Sequence, residues 1–412
     1  MTSSYHLEDR NKNIPKLRFK EYNDEWKKVK LKDICSDFIV PMRDKPKEFN
    51  GNIPWCRIED IEGNYFHGTK SNQYVSQETI DVMNLKIIPT GSVICSCSAS
   101  LGTYAINTRP IITNQTFIGL VCSDKISNHF LLNLMHTQTK KLRIIAGGTT
   151  IPYISREKFK EYNIKIPNKD EQEKIASFLT LIDKKIEKQK ELVELLKKYK
   201  RGLLSQIFSQ NLRFKDNDGN DYPDWTEKTL GEITDNISYG LNAASKKFDS
   251  KNKYIRITDI DETTGKYNNL DIVSPDCVLS DEYKLKINDL LFARTGASTG
   301  KTYLYNENDG KMYFAGFLIK FSIKEEYYSN FIFYITQTSK YKKWVSIMST
   351  RSGQPGVNAK EYSKYKFSCP VYNEQVKISN IISKIDNIIE KANILLDFYN
   401  DYKKGLLQKM FI

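Results

Sequence analysis

At 412 residues the chain is too long to organise around one core, and it is expected to form two to four domains. Apolar residues make up 40% of it, and no apolar run approaches the roughly 18 residues a membrane helix needs, which excludes that class. A net charge of +13 is the footprint of a polyanion-binding protein. Nucleic acid is favoured over a membrane surface, because no basic amphipathic segment carries an anchoring aromatic face.

In chain order, Met1 to Pro15 is polar and lacks the apolar centre of a signal peptide, so the expected location is cytoplasmic. Asn52 to Ile61 has the pattern of a strand, Ile88 to Ser96 that of a turn leading into a strand, and Phe117 to Cys122 that of an apolar strand. A helix is expected near Phe130 to Ile145. From about Glu171 to Phe208 the residues Ile175, Leu179, Ile182, Ile186, Gln189, Val193, Leu196, Lys200, Leu203 and Ile207 alternate four and three apart, a heptad seam with Lys and Glu between its positions. The same kinds of element then return: strands at Lys253 to Ile260, Ile287 to Ala293 and Phe317 to Ile323, and a helix near Phe331 to Ile347. A second seam follows at Ile378, Ile382, Ile385, Ile389, Ala392, Leu396, Tyr399, Lys403, Leu406 and Met410. Pro167 and Pro370 stand before the two long helices and help to set their starts.

The return is a true repeat. Pro152 to Phe208 overlays Pro355 to Phe411 at a constant shift of 203 residues. Within it Pro167, Glu171-Gln172, Ile175, Ile182-Asp183, Gly202-Leu203-Leu204 and Phe208 match Pro370, Glu374-Gln375, Ile378, Ile385-Asp386, Gly405-Leu406-Leu407 and Phe411. The upstream parts repeat in islands. Leu17-Arg-Phe-Lys20 recurs as Leu212-Arg-Phe-Lys215, Trp26 as Trp225, Arg57-Ile-Glu-Asp60 as Arg256-Ile-Thr-Asp259, and Ser98-Ala-Ser100-Leu-Gly102 as Gly296-Ala-Ser298-Thr-Gly300. The expected domains are therefore front units at 1–168 and 211–371, and helices at 169–210 and 372–412. The fold class is α+β: two similar domains, each with a twisted sheet, separated by a pair of long helices. In an antiparallel pair, about 55 Å long at 1.5 Å per residue, the second front unit bridges neighbouring helix ends and the first sits at the opposite end, a pseudo-two-fold arrangement; a parallel pair would need a return path of about 55 Å and is less economical.

Polar seam residues fix register and partner, or mark a frayed seam. Gly202 and Gly405 mark either a close backbone approach or a bend. Seven cysteines lie at 35, 56, 95, 97, 122, 277 and 369; Cys95-x-Cys97 stands alone, so buried free thiols are expected rather than a metal site or disulfides. Gly296 to Thr302 imitates a phosphate loop but has three residues between its glycines where the motif has four. The four His, at 6, 67, 129 and 136, all lie in the first half, so chemistry shared by both repeats cannot depend on them. No catalytic signature stands out.

The paired Pro…Glu-Gln-x-x-Ile helix entries, the Lys-x-Gly-Leu-Leu endings and the variable front units resemble the specificity subunit of type I restriction-modification systems, and the resemblance covers the whole chain. It implies two target recognition domains, each reading one half of a split site in double-stranded DNA, with antiparallel helices as spacer. It further implies docking of two methyltransferase (modification) subunits and of restriction (helicase-nuclease) subunits. This chain then binds no cofactor; S-adenosylmethionine, ATP and Mg are expected on the partners. The alternatives are a stand-alone DNA-modifying enzyme with divergent motifs and a coiled-coil scaffold that binds only proteins.

The candidate DNA-contacting residues lie in matched loops. In the first unit they are Arg57, Ser96, Ser98, Ser100, Thr103, Thr149, Thr150 and Tyr153. In the second they are Arg256, Arg294, Thr295, Ser298, Lys301, Arg351, Gln354 and Asn358. Arg294, Arg351 and Gln354 have the donors for bidentate base contacts. Arg57 and Arg256 either contact DNA or pair with nearby acids, and residues alike in two domains that read different words are poor specificity determinants.

Overall fold

The computed structural model describes residues 13–41, 44–98, 100–147, 153–350 and 355–412. The chain divides into two compact units, Met1–Leu192 with Asn393–Ile412, and Val193–Ala392.

In unit 1, strands β1 (Cys35–Ile39), β2 (Val93–Ser96), β3 (Tyr104–Asn107) and β4 (Phe117–Cys122) form an antiparallel sheet in the order β1-β4-β2-β3. Two short strands, Tyr65–Phe66 and Ile61–Glu62, extend it beyond β3. The period-2 alternation of strand side chains divides these apolar runs between two cores. Val93, Cys95, Tyr104, Ile106, Ile118 and Leu120 join helix α1 (Asn128–Ile145), whereas Ile94, Ala105 and Phe117 pack on the other face with Cys56 and Phe66. Each fully buried aliphatic or Phe side chain contributes about 1.5–3 kcal/mol.

Helix α2 (Lys169–Phe208) follows and contributes residues to both units. In unit 2, β5 (Thr234–Tyr239), β6 (Asp289–Ala293), β7 (Thr302–Leu304) and β8 (Leu318–Ile323) repeat the plan in the order β5-β8-β6-β7. Leu290, Phe292, Ile319 and Phe321 face one core, and Leu291, Ala293 and Leu318 face the other. Helices α3 (Ser329–Thr336) and α4 (Ser339–Ser349) lie where one helix, Phe331 to Ile347, is expected. The break falls at Thr338, whose hydroxyl donates to the Ile335 carbonyl at 2.7 Å and accepts from the Tyr341 amide at 3.3 Å, capping a new helix. Helix α5 (Tyr372–Met410) ends the fold.

Strands also stop short of expectation at the Arg-Ile-x-Asp motifs. Ile53–Cys56 and Lys253–Ile255 are strand, but Ile58–Asp60 and Ile257–Asp259 are single 3-10 turns that interrupt it. The cause is the buried aspartate. Asp60 accepts from the Arg57 amide at 2.7 Å and Asp259 from the Arg256 amide at 2.8 Å, which folds the backbone back.

The two long helices run antiparallel within each unit. In unit 1 the start of α2 and the end of α5 share a core: Ile175 and Leu179 lie with Leu406, Met410 and Phe411. In unit 2 the end of α2 and the start of α5 do: Leu204 and Ile207 lie with Ile378 and Ile382. Along the seams Val193, Ile385 and Ile389 are buried and Ile182, Ile186, Leu196, Leu203 and Leu396 half-buried. Leu204, beside the seam, is buried more deeply than Leu203 and joins the seam residue Ile207 in the unit 2 core. A Cβ at Gly202 or Gly405 would meet open space, so packing inside the chain does not explain either glycine.

Candidate nucleic-acid interface

The closely repeated residues form a framework. Glu171 is fully buried and accepts from Arg18 Nε and Nη2, each at 2.7 Å, and from Trp26 Nε1 at 3.3 Å. Glu374 does the same with Arg213, at 3.4 and 3.0 Å, and with Trp225 Nε1 at 3.1 Å. The neighbouring glutamines anchor the next layer. The Gln172 amide accepts from the Ser127 backbone at the N-terminus of α1 at 3.0 Å and donates to the Pro167 carbonyl at 3.0 Å. Gln375 accepts from the Tyr328 backbone at the N-terminus of α3 at 2.8 Å and donates to the Pro370 carbonyl at 2.9 Å. Each glutamine thus satisfies one amide that a helix start leaves unpaired. The Pro…Glu-Gln motif clamps a long helix onto its front unit twice over.

The polar seam residues are paired as well. Lys200 meets Asp386 at 2.6 Å in unit 2, where Tyr334 also donates to that carboxylate at 3.1 Å. In unit 1 Lys403 meets Asp183 at 2.5 Å, and Asn64 donates to the carboxylate at 2.8 Å. These lysines sit in the seam because an aspartate of the opposite helix awaits each of them.

The candidate loops are brought together in each unit. An isolated antiparallel bridge joins Ser98 to Tyr153, and another joins Thr295 to Gly356. Ser98 and Thr103 are half-buried, and Ser100 and Tyr153 exposed. Ser96 is buried in β2 with its hydroxyl donated to the Ser98 carbonyl at 2.9 Å, so it is withdrawn from the surface. Thr149, Thr150, Arg351 and Gln354 lie outside the described residues. In unit 2 Thr295 and Ser298 are half-buried, and Asn358 is exposed and caps the helix Ala359–Ser363. Lys301 faces Glu262 at 3.7 Å, an ion pair rather than a phosphate-loop lysine. The matched glycines beside it are packing devices. Gly102 and Gly300 take φ of +104° and +89°, and a Cβ there would strike Thr139 at 2.5 Å and Val345 at 2.6 Å.

Arg57 and Arg256 are both engaged with neighbouring side chains. Arg256 pairs with Asp259 at 2.8 Å and Asp271 at 3.1 Å. Arg57 donates to Gln73 and lies 3.6 Å from Glu59. Arg294 differs. Its Nε donates to the Gly316 carbonyl at 3.1 Å, and its guanidinium lies 5.1 Å from the Tyr239 ring and 6.0 Å from the Phe317 ring. Among the described residues no carboxylate pairs with it at 4.0 Å or less. It lines a cleft of 710 Å³ with Tyr239, Asn242, Ser245, Thr258 and Phe317. Tyr239 and Phe317 are 44% and 56% exposed, an unusual display of aromatic surface beside a cation. Neither aromatic is evident as a site residue from sequence, where Phe317 looks like the start of an apolar strand and Tyr239 falls in no expected element.

Cys35, Cys56, Cys95, Cys97 and Cys369 are buried free thiols. Among the described residues no group of three or more His, Cys, Asp or Glu is placed to hold a metal ion, and no helix is long and apolar enough to cross a membrane. Burial, and then the Lys403 charge, push the His136 imidazole down to about 4, so this half-buried side chain is neutral near pH 7.

A family model described as the type I restriction modification DNA specificity domain matches residues 23–197 and again 213–396. The type I restriction enzyme MjaIX specificity subunit of Methanocaldococcus jannaschii is 29% identical over 56% of this chain, and the match spans 56% of that relative. The MjaVIII specificity subunit of the same organism is 22% identical over 94% of this chain and 91% of its own length. In fold, the chain is similar to the S subunit of a type I restriction-modification system from M. genitalium, with a TM-score of 0.60, 19% identity, and coverage of 97% of this chain and 99% of that one.

Proposed function

The chain belongs to the type I restriction modification DNA specificity family, and we propose that it selects the DNA on which a type I enzyme acts, contributing no catalytic group itself. It is a specificity subunit with two recognition domains, one for each half of a bipartite site in double-stranded DNA. The bounds at 1–168 and 211–371, with helices at 169–210 and 372–412, are part of this reading. Two modification subunits dock on the chain, and restriction subunits join them in the cytoplasm. S-adenosylmethionine, ATP and Mg belong to those partners.

The observation that carries this reading is the contrast within the repeat. The anchoring pairs, Arg18 with Glu171 and Arg213 with Glu374, recur in both units, while the bridged loops differ at Ser98 against Thr295 and at Tyr153 against Gly356. A shared frame with unlike surfaces is what two readers of different DNA words require, since phosphate contacts position and base contacts specify. Linking two weak readers makes the second contact intramolecular and raises avidity.

Footprinting of the chain assembled with its modification subunits tests this. Two protected blocks separated by a less protected gap are expected, with binding that weakens steeply as salt rises. One contiguous block, or no protection, would reject the reading.

A further inference from the structure

We propose that Arg294 is a specificity-determining residue of the second recognition domain, and that its guanidinium reads a guanine in the second half-site. The inference rests on the specificity-subunit reading above and names a base contact within it.

In unit 1 the Ile154 amide donates to the Cys97 carbonyl at 2.9 Å, and in unit 2 the Val357 amide donates to the Arg294 carbonyl at 2.9 Å. One step earlier, the Ser96 amide donates to the Thr103 carbonyl at 2.9 Å, and the Ala293 amide to the Lys301 carbonyl at 2.8 Å. The Cys97 amide donates to Thr116 at 2.8 Å, and the Arg294 amide to Phe317 at 3.0 Å. Cys97 and Arg294 therefore occupy the same backbone slot. In unit 1 the slot holds a buried thiol, while in unit 2 it holds a cation. Positions that distinguish two words must differ between two domains of one frame, and this slot differs as much as side chains can.

The chemistry then selects the ligand. Described arginines of the framework are committed: Arg18 to Glu171, Arg213 to Glu374, and Arg256 to Asp259 and Asp271. Arg294 spends only Nε on the Gly316 carbonyl. The two rings on which it rests fix the plane of the guanidinium without neutralising it. Its two terminal nitrogens form a pre-aligned fork in an open cleft. Such a fork matches the O6 and N7 acceptors of guanine in the major groove, the commonest specific contact of arginine with DNA. The exposed Tyr239 and Phe317 supply apolar edges beside it.

The test uses the chain assembled with its modification subunits, methylating a DNA library randomised in both half-sites. Arg294→Ala should relax one guanine position of the second half-site, with discrimination there falling roughly 5- to 150-fold, and leave the first half-site preference intact. Arg294→Lys keeps the charge and most of the stem but lacks the fork, and it should lose most of that discrimination too. Three results would overturn the assignment: unchanged preferences in Arg294→Ala, equal loss on every sequence (the mark of a phosphate contact), or full discrimination retained by Arg294→Lys. If the unsubstituted assembly shows no bipartite preference, the specificity-subunit reading itself fails, which is a different outcome.

Discussion

Replacing Phe411, the penultimate residue of the sequence, with alanine is expected to loosen the first unit and leave the second intact. Phe411 is 6% exposed and closes an aromatic cluster with Trp26 at 6.0 Å and Phe130 at 5.3 Å. Its partners lie in the first unit because the end of α5 packs beside the start of α2. Phe208 plays the same part in the second unit, against Trp225 at 6.3 Å and Phe331 at 5.4 Å. A buried Phe→Ala change costs about 3–5 kcal/mol. Phe208 is only half-buried, so Phe208→Ala should fall at or below the lower end. Hydrogen exchange resolved along the full chain reads both effects. Faster exchange at residues 93–135 in Phe411→Ala, with residues 289–335 unchanged, is the expected pattern, and Phe208→Ala should give the converse. Loosening of the nearer sequence repeat instead would contradict the crossed closure.

Glu171→Ala should be comparably severe. The carboxylate is fully buried, and the Arg18 side chain that grips it is only 9% exposed. Burial opposes the Arg18 charge, but the Glu171 hydrogen bonds outweigh it and hold the guanidinium pKa above its usual value. Removing one member of such a pair strands a charge away from water and costs about 3–5 kcal/mol, and Trp26 Nε1 loses its acceptor as well. Glu374→Ala should cost less. Arg213 is 25% exposed and also donates to the carbonyls of Tyr222 at 3.2 Å and Pro223 at 2.7 Å. Chemical denaturation followed at each unit would rank the two, and equal or negligible losses would show that the motif does not clamp the helices.

Most of the architecture is legible in the sequence because it is built twice. The phase of Ile175 to Ile207 and of Ile378 to Met410 specifies two amphipathic helices, and the run Phe117 to Cys122 reads as an apolar strand, which it forms. The repeat even marks Glu171, Gln172, Asp183 and their counterparts, although their partners emerge only in three dimensions. Where side-chain hydrogen bonds override propensity, pattern fails: Thr338 starts a new helix, and Asp60 and Asp259 turn a strand into a 3-10 turn. The site is less legible for a related reason. The Ser-Ala-Ser and Gly-Ala-Ser islands set Ser96 opposite Arg294. The strand register instead pairs Ser96 with Phe117 in one unit and Ala293 with Leu318 in the other, which moves Cys97 into the slot of Arg294. One extra residue in the second loop hides the correspondence. Arg57 and Arg256, conspicuous because they repeat, both lie beside carboxylates, and Arg256 also lines the cleft that holds Arg294.

Mapping genomic methylation in cells with this chain's gene present and with it deleted tests the central claim most directly. The expected result is one split motif, two short words separated by a fixed gap, that disappears when the gene is removed. A contiguous motif, or a methylation pattern indifferent to the gene, would contradict it.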